Sequence, residues 1–211
     1  MTDEQVFFDE PHGSRQLRRR GYLPHLESDG ATYFVTFRTA DSLPTQLVEE
    51  LRARKARLSS ARDSGRQLLG IESDRLKTLS NKEIERLLDN AIGSCPMHRA
   101  ECADIVAESL QHWDGVRYTL FAWAVMPNHV HVIFTPSKPY SLSSVVTTWK
   151  SFTANGINRV MNRQGSLWQR EYFDHLLRDR AEFQRAIDYV LENPAVAGLK
   201  EWRWSWKRSD A

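Results

Sequence analysis

Apolar and polar side chains are mixed in Thr32-Tyr33-Phe34-Val35-Thr36-Phe37-Arg38, a β-branched and aromatic run that predicts a strand. The apolar stretch from Phe121 to Phe134 reads as a hairpin, with strands at about 117–126 and 129–135 joined at Pro127-Asn128. Ser141 or Ser143 then starts a long helix reaching about Asn162, with Val145, Val146, Trp149, Phe152 and Ile157 on its buried side. Leu167 to Leu177 alternates well enough for another strand. Ala181 to Glu192 is helical, and Asn193-Pro194 ends it, because a residue before proline disfavours the α region.

The flanks are less regular. Residues 1–30 read as a basic, irregular arm broken by Pro11, Gly13, Gly21, Pro24 and Gly30. Residues 44–112 are mostly helical in composition. Asp41-Ser42-Leu43-Pro44 opens that region, Ser80-Asn81-Lys82-Glu83 resembles a capping box, and Ile105, Val106, Leu110 and Trp113 recur at helical spacing over 99–113. Residues 59–79 are polar and predict a loop or a loosely packed helical arm. In the 200–211 tail Trp202, Trp204 and Trp206 alternate strictly, as an edge strand would, or as rings that stack on bases. Strand, helix, hairpin, helix, strand, helix is the order of an α+β sandwich of the ferredoxin-like type, an antiparallel sheet covered by helices. We expect one domain over 1–211.

Charge changes this picture. The net charge is only +2, yet Gly115 to Arg170 contains no Asp or Glu, where 27 acids in 211 residues would place about seven. Arg117, Lys138, Lys150, Arg159, Arg163 and Arg170 occupy that window, and Arg15, Arg18, Arg19 and Arg20 form a second cluster. Basic side chains without acids can neutralise phosphates, so the distribution favours a polyanionic partner over a merely solvated face. No apolar run approaches the roughly 20 residues of a membrane span, and the N-terminus lacks the order of a secretory signal. Two cysteines, Cys95 and Cys102, fit a reducing cytoplasm. With His98 they form a loose zinc-like spacing that lacks a fourth ligand.

His129-Val130-His131 carries the candidate chemistry. Residues i and i+2 of a strand share a face, so both imidazoles project together and could chelate one divalent ion. The alternative is one surface histidine and one hydrogen-bonded core histidine. On the 181–192 helix, Phe183, Ala186, Ile187, Val190 and Leu191 form the core stripe, while Tyr189 falls about 60° outside it. Asn193 follows Tyr189 by one turn, about 40° away on the same side.

The segments RRRGYLPHLESDGATYFVTFRTADSLP, WAVMPNHVHVIFTP, LWQREYFDHLLRD and AIDYVLENPAVAGL resemble, in order, the single-tyrosine HUH transposases of the REP-associated type. The resemblance spans Arg18 to Leu199. It implies that His129 and His131 bind Mg²⁺ or Mn²⁺, that Asn193 completes the metal site, and that Tyr189 is the nucleophile. The implied reaction is metal-dependent cleavage and rejoining of single-stranded DNA through a 5′-phosphotyrosine, on hairpins of REP-type palindromes with a short flanking tetranucleotide. Lys150, Arg159, Arg163 and Arg18 to Arg20 are the expected DNA contacts. Such an enzyme is expected to work as a monomer, although the wider family includes dimers, at the nucleoid of a bacterial cytoplasm. Compared with compact members, the first connection is longer, so about 58–96 reads as a helical insertion. Tyr172 is the runner-up nucleophile, and His175 could approach the metal or position DNA. Competing functions are a domesticated hairpin-binding protein without cleavage and a replication or conjugation initiator. A pure binder needs none of His129, His131, Tyr189 and Asn193, and initiators usually carry a further domain.

Overall fold

The computed structural model describes residues 16–20, 23–43, 91–209 and 211, together with Gln46, Glu49, Ala53 and Leu88. The polar 59–79 segment, the 80–83 capping box and most of the 58–96 insertion lie outside the described residues. β1 (Gln16–Arg20) and β2 (Leu23–Glu27) pair as a two-stranded antiparallel ribbon. After them come β3 (Tyr33–Arg38), a 3-10 turn at Pro96–His98, α1 (Ala100–Gln111), β4 (Tyr118–Val125) and β5 (His129–Pro136). α2 (Leu142–Val160), β6 (Phe173–Leu176), α3 (Arg180–Val196) and β7 (Ser205–Lys207) complete the chain.

The main sheet has the order β6-β3-β5-β4-β7 and every pairing in it is antiparallel. Without β7 this is the ferredoxin-like order, in which each helical crossover skips one strand. Alternation along the strands gives two apolar faces. Val35, Phe37, Val130, Val132 and Phe134 meet α1 and α2 through Cys102, Val106, Leu110, Val146, Trp149 and Ile157. Phe34, Ala122, Ala124 and Ile133 meet α3 through Phe183, Ile187 and Val190. Helices therefore cover both sides, and the even-numbered face of β3 lies under α3. Among the described residues, no helix is long and apolar enough to cross a membrane.

Caps set where the helices begin. Ser141 Oγ accepts from the Ser144 amide, and Ser144 Oγ from the Ser141 amide, so α2 starts behind a reciprocal capping box. Asp179 Oδ1 accepts from the Glu182 amide at the start of α3.

Four expectations change. The arm is a ribbon across 16–27; its strands QLRRR and LPHLE hold no β-branched residue, so composition concealed them. The expected 167–177 strand is reduced to β6 and a single bridge between Thr39 and Trp168, because the Trp168 ring turns inward onto Phe37 and its Nε1 donates to Thr153 Oγ1. Phe152 is 62% exposed; helical periodicity puts it with Val145, and only the neighbouring elements decide whether such a position is covered. α3 continues through Pro194 to Val196. The proline forfeits its own N–H bond only in the last turn, and the Ala197 and Leu199 amides close the end on the Asn193 and Pro194 carbonyls. The tail is in part an edge strand, β7, with Trp202, Trp204 and Trp206 half-buried.

Candidate functional site

β5 enters directly from the Pro127-Asn128 turn, so its first and third residues, His129 and His131, stand on the α3 side of the sheet. Both rings are sealed, at 0% and 1% exposure. Burial holds the His129 imidazolium well below its ordinary range, with the charges of His131 and Arg38 adding to the effect. Burial alone pushes His131 down to about 3. Both rings are therefore neutral at physiological pH, the form that can donate a lone pair to a metal.

Hydrogen bonds determine which nitrogen is free. Asn128 Nδ2 donates to the Ile92 carbonyl at 2.9 Å, which turns Asn128 Oδ1 toward His129 Nδ1 at 2.7 Å. An amide oxygen can only accept, so His129 carries its proton on Nδ1 and presents a bare Nε2. That Nε2 lies 3.0 Å from His131 Nε2. On the far side of the second ring, Thr36 Oγ1 sits 2.7 Å from His131 Nδ1. A hydroxyl can donate or accept. When Thr36 donates, His131 Nε2–H bonds to His129 Nε2 and the pair is self-satisfied. When Thr36 accepts, both Nε2 lone pairs face one point. Thr36 thus permits both proton arrangements.

A cation fits this pair. Adjacent corners of an octahedron with bonds of about 2.1 Å are about 3.0 Å apart, the separation of the two nitrogens. The facing element supplies an oxygen. Along α3, Phe183 meets Phe121, two turns later Tyr189 packs edge-on against His131 at 5.3 Å, and Asn193 follows one turn further along the same helix. Asn193 is 2% exposed, and its Oδ1 has no hydrogen-bond donor among the described residues. A buried carbonyl oxygen without a donor is costly and suits a hard cation. The three donors are neutral, so a divalent ion would keep its full charge. Among the described residues, no cluster of three His, Cys, Asp or Glu side chains offers a competing metal site.

Tyr189 is half-buried, held edge-on against Phe34 at 5.8 Å as well as against His131. Phe34 also stacks on His131 at 5.5 Å, so the three rings contact one another. The phenol borders an open cleft of about 330 Å³ whose walls include Phe34, Phe173, His175, Glu182 and Arg185. His175 Nε2 lies 2.6 Å from Glu182 Oε1. Burial raises the Glu182 carboxyl, but His175 and the Arg178 amide outweigh it and hold it below the usual range.

The geometry therefore gathers His129, His131 and Tyr189 at one place, with Asn193 one helical turn beyond Tyr189 on α3. Residues 96–193, which contain all four, match the family described as transposase IS200 like. Over this segment the chain is similar to that transposase family. A REP-associated tyrosine transposase of Escherichia coli is 27% identical over 97 residues, covering 42% of this chain and 53% of that protein. A Haemophilus influenzae protein assigned to the same transposases is 26% identical over 98 residues, covering 40% of this chain and 56% of its own. The chain thus spans about half the length of these two relatives. A solved structure of a REP-associated tyrosine transposase bound to a REP hairpin superposes with a TM-score of 0.47 at 15% identity, covering 90% of this chain and 81% of that one.

Of the expected DNA contacts, those on α2 lie across the sheet from the histidine pair. α2 is on the opposite side of the sheet from α3. Lys150 Nζ donates to the Gln169 and Arg170 carbonyls at 2.7 and 2.8 Å, and burial brings its ammonium down to about 8 against the opposing charge of Glu171. Arg159 is exposed, and Arg163 is half-buried with a long bond to the Ser166 carbonyl. Arg18, Arg19 and Arg20 are in β1, opposite His25, Pro24 and Leu23. Tyr172 stands with Lys150 at the mouth of a second cleft on α2, away from the histidines. Sequence reasoning missed Asn128 and Thr36, which orient the two imidazoles. Asn128 was adjacent to the pair and carried a signal; Thr36 is 95 residues away and becomes visible only through the β3–β5 register.

The buried imidazoles make stability depend on pH. In the unfolded chain both titrate near 6.5, whereas in the folded chain both stay neutral far below that. Below pH 6.5 the unfolded state binds protons that the folded state refuses, so stability falls as pH falls. His131 alone costs on the order of 3 kcal/mol by about pH 4. Urea unfolding in a chelator, from pH 7.5 down to 4.5, is expected to show this loss, with a shallower slope in His131→Gln.

Proposed function

We propose that the protein is a metal-dependent single-stranded DNA endonuclease and strand transferase that works through a 5′-phosphotyrosine. The observation that carries this reading is a pair of imidazole Nε2 atoms 3.0 Å apart beside a half-buried phenol, with a buried, donorless amide oxygen one helical turn beyond the phenol. Its relatives are named REP-associated tyrosine transposases, and the substrate in this reading is a REP-type palindromic hairpin. The place of action is then the bacterial cytoplasm, on DNA.

His129, His131 and Asn193 would hold Mg²⁺ or Mn²⁺, which when bound supplies Lewis-acid polarisation of a phosphodiester. Tyr189 attacks the phosphorus. The Oη–P bond forms while the P–O3′ bond breaks, the phenolic proton leaves to solvent, and the 3′-oxygen departs as a hydroxyl. No electrons are transferred. The phosphotyrosine keeps the phosphoester for rejoining, and a phenol leaves more readily than a sugar hydroxyl, which makes the reverse step accessible. Phe34 holds the His131 and Tyr189 rings in contact, so nucleophile and ligand cannot drift apart.

The test uses a pool of 5′- and 3′-labelled hairpin oligonucleotides with four randomised flanking nucleotides. With Mn²⁺ the protein should give a denaturation-resistant adduct to the downstream fragment and a free 3′-hydroxyl upstream. Tight hairpin binding without any adduct would instead identify the non-cleaving binder.

A further inference from the structure

We propose that Arg38 is a catalytic residue that grips the scissile phosphate at this site; the inference rests on the nickase reading above. Arg38 is the last residue of β3 and lies directly opposite His129 in the β3–β5 register. Directly opposed residues of an antiparallel pair share a face, so Arg38 joins Phe34 and Thr36 on the α3 side. It stands at the end of the sheet where His129 is.

Its bonding is that of a cation kept for a ligand. The side chain is half-buried, and burial lowers its guanidinium to about 10, still fully charged at neutral pH. Nη1 donates to Ser42 Oγ at 3.1 Å, and Ser42 is fixed in turn by its own bond to the Thr39 carbonyl at 2.8 Å. That is one of five guanidinium donors. Among the described residues no carboxylate pairs with it, whereas Arg203 pairs with Asp104 and Arg208 with Asp114. Among the described residues it has no other side-chain partner, and none of its nitrogens is buried there without one. A desolvated arginine without an acid is costly unless its partner arrives later.

The chemistry of the site says what that partner is. Tyr189, His129, His131 and Asn193 are all neutral, whereas the substrate is a phosphodiester anion whose non-bridging oxygens gain charge as tyrosine attacks. A guanidinium fork matches those oxygens in shape and charge. Preorganised donors of this kind are worth about 10²–10³-fold in rate. Arg38 contacts the non-bridging oxygens, while Tyr189 makes the new bond to phosphorus.

The test compares wild type with Arg38→Gln and Arg38→Lys on the cleaved member of the hairpin pool. It also uses that oligonucleotide with a single methylphosphonate at the scissile position, which removes the anionic oxygen. We expect Arg38→Gln to slow adduct formation about 10²–10³-fold while Mn²⁺ affinity and thermal midpoint hold. In the unreactive Tyr189→Phe background, Arg38→Gln should weaken binding of the phosphodiester and leave binding of the methylphosphonate unchanged. Arg38→Lys, which keeps the charge and loses the fork, should fall between. If Arg38→Gln misfolds, the lysine variant decides by the same comparison. Unchanged rates, or equal losses on both oligonucleotides, would overturn the role of Arg38 and leave the nickase standing. No adduct from wild type with any member of the pool would remove both.

Discussion

Tyr189→Phe is expected to abolish the covalent protein–DNA adduct and to lower strand cleavage by on the order of 10⁴-fold or more, as removal of a nucleophile does. The substitution deletes one oxygen and keeps the ring that packs on His131 and Phe34, so folding and Mn²⁺ binding should survive. DNA affinity should survive too, because the phenol is one atom among the groups that face the substrate. A drop in cleavage accompanied by a matching drop in thermal midpoint would mean that the ring, and not the hydroxyl, is what matters.

His129→Ala and His131→Ala should each remove stoichiometric Mn²⁺ binding, measured by titration calorimetry on the protein alone. Each should lower adduct formation by about 10³-fold, since several kilocalories of charge stabilisation leave with the ion. The two are not equivalent structurally. Either change removes the bond between the two rings; His129→Ala also strands the sealed Asn128 Oδ1, whereas His131→Ala also strands the half-buried Thr36 hydroxyl. His129→Ala should therefore be the less stable protein. Asn128→Ala, which keeps both ligands but frees the His129 tautomer, should cost a smaller 10–100-fold in metal affinity. Wild-type cleavage in a chelator, or undiminished cleavage by either alanine variant, would refute a metal role for the pair.

How far the chain could be read beforehand follows from which features are local. The strand at Tyr33–Arg38, the hairpin and the two long helices carry period-two or helical patterns within themselves, and they were legible. So were the shared face of His129 and His131, set by the pleat, and the spacing of Tyr189 and Asn193, set by one helical turn. What escaped depends on partners distant in sequence. Thr36 and Arg38 acquire meaning only once β3 lies beside β5. Lys150 looked free for phosphate until the 163–172 loop brought two carbonyls to its ammonium. The ribbon at 16–27 is built from arginines, leucines and a proline, a composition that argues against strands. Pro194 is a strong breaker in general, but a proline in the final turn forfeits little.

The arrangement also separates two sides of the molecule. His129, His131 and Tyr189 lie between the sheet and α3, while Lys150 and Arg159 ride on α2 across the sheet and Arg163 follows its end. Charge reversal at Arg159 is therefore a change remote from the metal and the tyrosine, in contrast to any change at Arg38.

The most direct test of the central claim is to trap the adduct formed with Mn²⁺ on the hairpin pool, digest it with nuclease and protease, and locate the modified residue by mass spectrometry. The account predicts a deoxynucleotide joined through its 5′-phosphate to Tyr189. A nucleotide on Tyr172, or cleavage that leaves no nucleotide on any tyrosine, would contradict it.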